Sequence, residues 1–164
     1  ELDGGNRDYT ICFWYKITSY ASNYPGLICK NQYDTEKDYQ ILAESNNNRI
    51  PIFSIGDGGT TTLADIPYNE IVAEGAWHFM ACWHNVSEKK IYLQMDNGTI
   101  HNASYTGIPG VSSREFEIGY AYSAHYLDGM VDEAAFFAGV LSAADRAALY
   151  NNGAGVTYAQ AVGA

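Results

Sequence analysis

Two carboxylates, Glu115 and Glu117, stand two residues apart, the spacing that strand alternation places on one face. Paired carboxylates can cleave a glycosidic bond, one as acid and one as nucleophile or base. The ordinary account of such a pair is a solvated strand face, and no third group beside it completes a hydrolytic set. His78 and His84 lie six apart on a strand-like run, so they share a face but sit roughly 20 Å apart at about 3.3 Å per residue. They cannot hold one ion together. Neither a Ser-His-Asp order nor a nucleophile elbow is legible, so the residues give no positive sign of an enzyme. Asp34, Glu36 and Asp38 alternate in acid, yet they lack the glycine and distant glutamate of a calcium loop, and a solvated acidic loop is expected. Gly56-Asp57-Gly58-Gly59 has no following helix or Lys-Ser/Thr pair, and reads as a turn, not a phosphate cradle.

Binding chemistry is better represented. Recognising a sugar takes flat apolar surface for the CH faces of the ring and planar polar groups for its hydroxyls. Tyr33 and the run Tyr120-Ala121-Tyr122-Ser123-Ala124-His125-Tyr126 supply both, in loops at the expected rim of a sheet structure. The candidate ligand contacts are therefore Tyr33, Tyr122, His125 and Tyr126. The alternative for each is a tyrosine or histidine that covers the edge of the core. Trp14 and Trp77 fall inside well-formed strand patterns and are expected in the core.

The elements that must carry these groups are mostly strands. Residues 9–18 alternate Ile11, Phe13, Tyr15 and Ile17 against Thr10, Cys12, Trp14 and Lys16, a strand with two rather apolar faces. Short strands follow at 27–30, 39–43 and 50–55, with weaker ones at 60–63 and 70–73. A long strand over 75–84 leads to another over 90–95, closed by the Asp96-Asn97-Gly98 turn, where Asn-Gly tolerates positive φ. Further strands are expected over 99–104 and 115–120. The final stretch joins a strand over 127–137 to a short helix that starts at Ser142, the N-cap, with Asp145 three residues on.

At 164 residues the chain is expected to form one domain over 1–164, long enough to bury roughly two-thirds of its unfolded surface. Charged residues are 17% while 14 residues are Tyr and 16 are Gly, which suits polar-aromatic sheets better than a helical bundle. A formal charge of −10 with scattered Lys and Arg repels phosphate backbones, so nucleic acid is excluded as a partner. The longest apolar run, 134–141, is interrupted by Gly139 and too short to span a bilayer. Cys12, Cys29 and Cys82 are either three buried thiols or one disulfide and a thiol. Asn85-Val86-Ser87, Asn97-Gly98-Thr99 and Asn102-Ala103-Ser104 match the glycosylation pattern, at a frequency this composition gives nearly by chance.

The segments Leu127-Asp128-Gly129-Met130-Val131-Asp132-Glu133 and Leu141-Ser142-Ala143-Ala144-Asp145-Arg146-Ala147-Ala148-Leu149-Tyr150, with the Trp83-His84 strand and its Tyr92 to Gly98 hairpin, resemble laminin-G-like domains. These belong to the concanavalin A-like lectin/glucanase superfamily. The resemblance covers most of residues 9–150 and implies an all-β, two-sheet antiparallel jelly-roll sandwich with one short C-terminal helix. The β-glucan-cleaving enzymes of that superfamily carry a strand motif Glu-x-Asp-x-x-Glu, which this sequence lacks. The family often uses the acid equivalent to Asp132 to hold a structural Ca²⁺ together with main-chain oxygens near the domain's start, here around Asp3 to Asn6. Alternation sets Asp132 with Met130 and Phe136 on a side expected to be buried, so the metal residues are Asp132 and Asp3, the alternative being a metal-free, hydrogen-bonded Asp132. Residues 1–8 are too few for the strand that usually opens the family's domain, so a longer parent chain, the chain's own tail or a neighbour is expected to fill that place. The expected function is a non-catalytic module binding glycans through rim-loop aromatics, at an extracellular, cell-surface or virion-surface location. The alternative is a structural or adhesive module, in a virion fibre, decoration protein or cell-surface array, whose partners are neighbouring protein chains.

Overall fold

The structure, a computed structural model, describes residues 2–20, 24–32, 35–44, 50–67, 72–122, 124–157 and 160. In chain order the strands are β1 (Tyr9–Ser19), β2 (Gly26–Gln32), β3 (Glu36–Glu44), β4 (Ile50–Gly56), β5 (Thr62–Pro67), β6 (Trp77–Asn85), β7 (Lys90–Met95) and β8 (Ile100–Ser104). Then come the short β9 (Glu117–Ile118), β10 (Tyr120–Ala121) and β11 (His125–Tyr126), the long β12 (Asp128–Phe137), helix α1 (Ala143–Tyr150) and a 3-10 turn over Asn151–Gly153. Two five-stranded antiparallel sheets form, one ordered β12-β1-β6-β7-β8 and the other β5-β4-β3-β2-β9, with β10 and β11 as a separate hairpin. The expected sandwich with one short terminal helix is what the chain adopts. Among the described residues no helix is long and apolar enough to cross a membrane.

Alternation builds the core. Ile11, Phe13, Tyr15 and Ile17 of β1 point between the sheets and meet Tyr39, Ile41, Phe53 and Ile55 from the other side. Tyr9 ties the layers together, its ring 5.7 Å from Tyr39 and 5.3 Å from Phe136. Burying such a side chain contributes about 1.5–3 kcal/mol, so a one-residue slip that turned this set outward would unfold the domain.

Helix α1 closes the outer face of the first sheet. Ser142 and Asp145 form the reciprocal capping box read from the sequence, and Asn151 ends the helix in the left-handed conformation. Trp14, Phe79, Trp83 and Cys12 make a second apolar cluster beneath Leu149 and Tyr150. Arg146 pins the helix there: its guanidinium lies 4.0 Å from the Trp83 ring, and it donates to Gln94 Oε1 (3.0 Å) and to the Leu141 carbonyl (2.6 Å). The Asp96-Asn97-Gly98 turn also forms as expected, with φ of 50° and 54° at its first two residues and Gly98 N–H donating to the Met95 carbonyl.

Two expectations are corrected. In the β1–β12 pairing Cys12 faces Ala135 and Trp14 faces Asp132, so Glu133 and Ala134 together oppose Phe13 in a β-bulge, with Glu133 at φ 49°. The extra residue inverts the phase of the strand. Val131 and Phe136 therefore both pack on the inter-sheet core, while Asp132 lies exposed on the outer face and does not share the side of Phe136. Trp77 is not a core residue either: at the start of β6 it is 41% exposed, whereas Trp14 is 8% exposed. The three cysteines are free and buried, and burial pushes the Cys12 thiol up to about 12 and those of Cys29 and Cys82 up as well, which makes them unreactive packing groups.

His84 sits at one end of the core, its Nδ1 donating to the Arg7 carbonyl (2.7 Å) and its Nε2 accepting from the Tyr105 hydroxyl (2.8 Å). Burial holds this imidazole below its ordinary value. Below about pH 6.5 the unfolded chain takes up a proton that the folded site resists, so stability falls as pH drops through that window. The urea midpoint is expected to fall further between about pH 7.5 and about pH 5.5 in the wild type than in H84Q. Equal falls would contradict this role.

Candidate functional site

The outer face of the β5-β4-β3-β2 sheet follows from the inner one. Because Tyr39, Ile41 and Ala43 of β3 and Phe53 and Ile55 of β4 face the core, Gln40, Leu42, Ile52 and Ser54 must face away from it. Register then aligns them in rows. Gln40 pairs with Ser54 and Ser54 with Asp65, while one pleat along Leu42 pairs with Ile52 and Ile52 with Pro67. A polar stripe thus runs beside an apolar one across the strands. Together with Lys37 and Thr62 they floor a groove of about 640 Å³, walled at one end by Tyr24, Tyr122 and His125.

The polar groups are held in place. Asn31 donates to Gln40 Oε1 (2.5 Å), which turns the Gln40 amide nitrogen toward the Ser54 hydroxyl at 3.5 Å. Lys37 Nζ donates to Thr62 Oγ1 at 2.9 Å. The groove thereby presents an amide, hydroxyls, an ammonium and the exposed Asp65 carboxylate next to aliphatic and aromatic surface, a set that can hydrogen-bond hydroxyls and cover CH faces.

The end wall depends on one glycine. A Cβ at Gly26 would lie 2.3 Å from the carbonyl carbon and oxygen of Tyr120, so only glycine lets the β10–β11 hairpin rest against β2. Ala121 then packs over Cys29 and Leu42. Its cross-strand partner His125 shares that face and meets Tyr122 (centroids 5.3 Å, 76°) and Tyr24 (6.1 Å, 84°) edge to face.

Of the candidate contacts read from the sequence, Tyr122 and His125 are brought together at this wall. Tyr126 pairs with Tyr120 on the hairpin's other face, their centroids 5.0 Å apart, and points away 61% exposed. Tyr33 and Asp34 lie outside the described residues. Tyr24, Lys37, Gln40, Ser54 and Asp65 were not singled out from the sequence; for Gln40, Ser54 and Asp65 the signal is the outward phase of strands whose other phase is core.

The acidic candidates separate. Glu36 and Asp38 lie on β3, not in a loop, and reach different partners. Glu36 accepts from Ser113 N–H (2.8 Å) and Oγ (2.6 Å), which hold its carboxyl below the usual range. Asp38 is the bulged residue between the Tyr39–Lys30 and Lys37–Asn31 pairs; it accepts from the N–H groups of Gly4 and Gly5, and burial pushes its carboxyl up against them. The Lys30 ammonium lies 2.9 Å from Asp3 and 3.8 Å from Asp38 and donates to the Ser112 carbonyl. That one cation is shared between the two carboxylates. Asp132, on the outer face of the other sheet, accepts from Glu133 N–H and shares no cage with Asp3. Among the described residues no three His, Cys, Asp or Glu side chains gather around a metal position. Glu117, pushed up by burial, stands on the polar stripe through the pairs Glu117–Cys29 and Cys29–Gln40, and Glu115 lies beyond the strand.

The family model described as the concanavalin A-like lectin/glucanases superfamily matches residues 1–145. No curated protein matches. Among solved structures, the botulinum neurotoxin serotype D/C binding domain superposes with a TM-score of 0.65 at 17% identity, covering 89% of this chain and 36% of that one. The same type of domain solved in complex with SialylT gives 0.64 at 17% identity, with coverage of 89% and 35%. The CBM40 of the Ruminococcus gnavus IT-sialidase, bound to alpha2,3 sialyllactose, gives 0.63 at 16%, covering 87% of this chain and 82% of that one. The chain spans about a third of the toxin binding domains it matches, and at these identities the likeness is one of fold.

G26A is expected to be destabilised by about 2 kcal/mol through overpacking, a fall of roughly 4–8 °C in the melting midpoint. An unchanged midpoint would show that the hairpin does not rest on this contact.

Proposed function

We propose, from the premise that this chain belongs to the concanavalin A-like lectin/glucanase superfamily, that it is a non-catalytic module that binds a neutral oligosaccharide along the groove on the β5-β4-β3-β2 sheet. The single observation that carries this is the pairing of stripes: Gln40, Ser54 and Asp65 in one row, Leu42, Ile52 and Pro67 in the next, under an aromatic wall. Sugar rings present hydroxyls at the edge and CH groups on the face, and adjacent polar and apolar rows meet both at once. The CBM40 neighbour bound to sialyllactose supports a glycan as ligand class. An anionic sugar suits this groove less well, because Asp65 lines it, Lys37 is engaged with Thr62, and the chain carries a formal charge of −10.

Carboxylate placement supports binding without cleavage. Asp65 and Glu117 stand at opposite ends of the same row, four strand spacings of about 4.8 Å apart, roughly 19 Å. Glycosidic hydrolysis brings its two carboxylates within about 5–9.5 Å. A module of this kind works outside the cell, at a cell or virion surface, where glycans are displayed. A second reading, contact with a neighbouring protein chain, has its own observation: Ile118 and Tyr126 are exposed together near the β9 edge.

A glycan array followed by calorimetry on the best ligand tests the assignment. Q40A and Y122A are each expected to weaken binding about tenfold, about 1.4 kcal/mol, while Y126A leaves it within about twofold. Absence of any glycan signal, or a ligand indifferent to Q40A and Y122A but lost in Y126A, would overturn the groove and favour the protein-contact reading.

A further inference from the structure

Beside the groove floor the sheet holds a niche far smaller than the groove itself. It encloses about 10 Å³ over the β3–β4 pair, with Asn31, Lys37, Gln40, Ser54 and Thr62 in its lining. All of these but Asn31 line the groove as well, so the two spaces adjoin. A site for one water needs roughly 10–15 Å³, so this volume fits a single oxygen with its hydrogens and nothing larger.

One side chain defines what such an occupant must do. Asn31 is 2% exposed, and its amide nitrogen donates to Gln40 Oε1 at 2.5 Å. Its Oδ1 is buried and, among the described residues, has no hydrogen-bond partner. Buried polar side-chain atoms are nearly always paired, so this acceptor calls for a donor. Ser54, 3% exposed, supplies the complement: its hydroxyl oxygen accepts from Gln40 Nε2 at 3.5 Å, which leaves its own hydrogen to give. Charge excludes other small occupants. Lys37 lines the niche and repels a metal ion, while the Asp38 carboxyl, also in the lining, is turned to the N–H groups of Gly4 and Gly5. An anion has no hydrogen to offer Asn31 Oδ1.

We propose that the niche is a one-oxygen subsite: a single O–H group sits in it, donating to Asn31 Oδ1 and accepting from Ser54 Oγ. Its source is a resident water or one hydroxyl of a sugar in the groove; the second source rests on the groove reading, and the first does not. A sugar hydroxyl there makes Asn31 a specificity residue, because only a ligand whose hydroxyl reaches the niche satisfies the buried carbonyl.

The test is a crystal structure of the full chain at about 1.2 Å, alone and soaked with cellotetraose, mannotetraose or xylotetraose. Calorimetry follows on the tetraose that binds and on its monodeoxy analogues, with wild type and N31A. An ordered oxygen within roughly 3.2 Å of Asn31 Oδ1 is expected. If a resident water is the source, it stays in the complex and every analogue binds wild type within about twofold of its parent. If a sugar hydroxyl is the source, one analogue binds wild type about tenfold or more weaker than its parent, and that gap closes to about twofold in N31A. An empty niche in every structure, or an oxygen there out of reach of Asn31 Oδ1, would overturn the proposal. Should no tetraose bind, the groove reading is what suffers, and the density in the free chain alone decides the niche.

Discussion

The contact of the two sheets across their aromatic and aliphatic inner faces is the constraint on which the whole architecture depends. Tyr39, Ile41, Phe53 and Ile55 are each 3% exposed or less, and their burial against β1 fixes the phase of β3 and β4. With side chains alternating, the outward residues have no freedom left: Gln40, Leu42, Ile52 and Ser54 face away from the inter-sheet core because their neighbours fill it. Antiparallel register then lines them up with Asp65 and Pro67 on β5. The binding surface is thus the complement of the core. A change that loosened the inner face would blur the stripes before it unfolded the chain.

The two outer faces have different fates. On the β12-β1-β6 side the apolar outward residues are roofed by α1, with Arg146 bridging Trp83, Gln94 and the Leu141 carbonyl. On the β2-β3-β4-β5 side the hairpin that Gly26 admits covers one end, and among the described residues the rest is open as the groove. At the chain's start a different device operates: Lys30 supplies an internal positive charge to Asp3 and Asp38, with Gly4 and Gly5 N–H groups completing the coordination of Asp38. A side-chain ammonium there supplies positive charge to a buried carboxylate.

Features governed by local chemistry were legible in the sequence. Ser142 with Asp145 marked the helix start, Asn97-Gly98 marked the hairpin, and the alternation in residues 9–18 marked β1; each is a short-range rule that the structure obeys. The family resemblance supplied the sandwich itself. The bulges escaped. A single extra residue at Glu133 or Asp38 leaves composition and pattern almost unchanged, yet it inverts the phase of the strand beyond it, which moved Asp132 outward and turned the Asp38 carboxylate toward Gly4 and Gly5. Tyr122 and His125 were found because aromatics in loops attract attention. Gln40, Ser54 and Asp65 were missed because strand residues become a site only once register, a long-range property, sets them side by side.

The most direct measurement of the central claim is a backbone amide NMR titration with the best neutral oligosaccharide. Chemical-shift changes are expected to map to Gln40, Leu42, Ile52, Ser54 and Asp65, in three adjacent strands, and to the hairpin wall at Tyr122 and His125. Changes confined to Tyr126 and the β9 edge, with those strand amides unmoved, would contradict it.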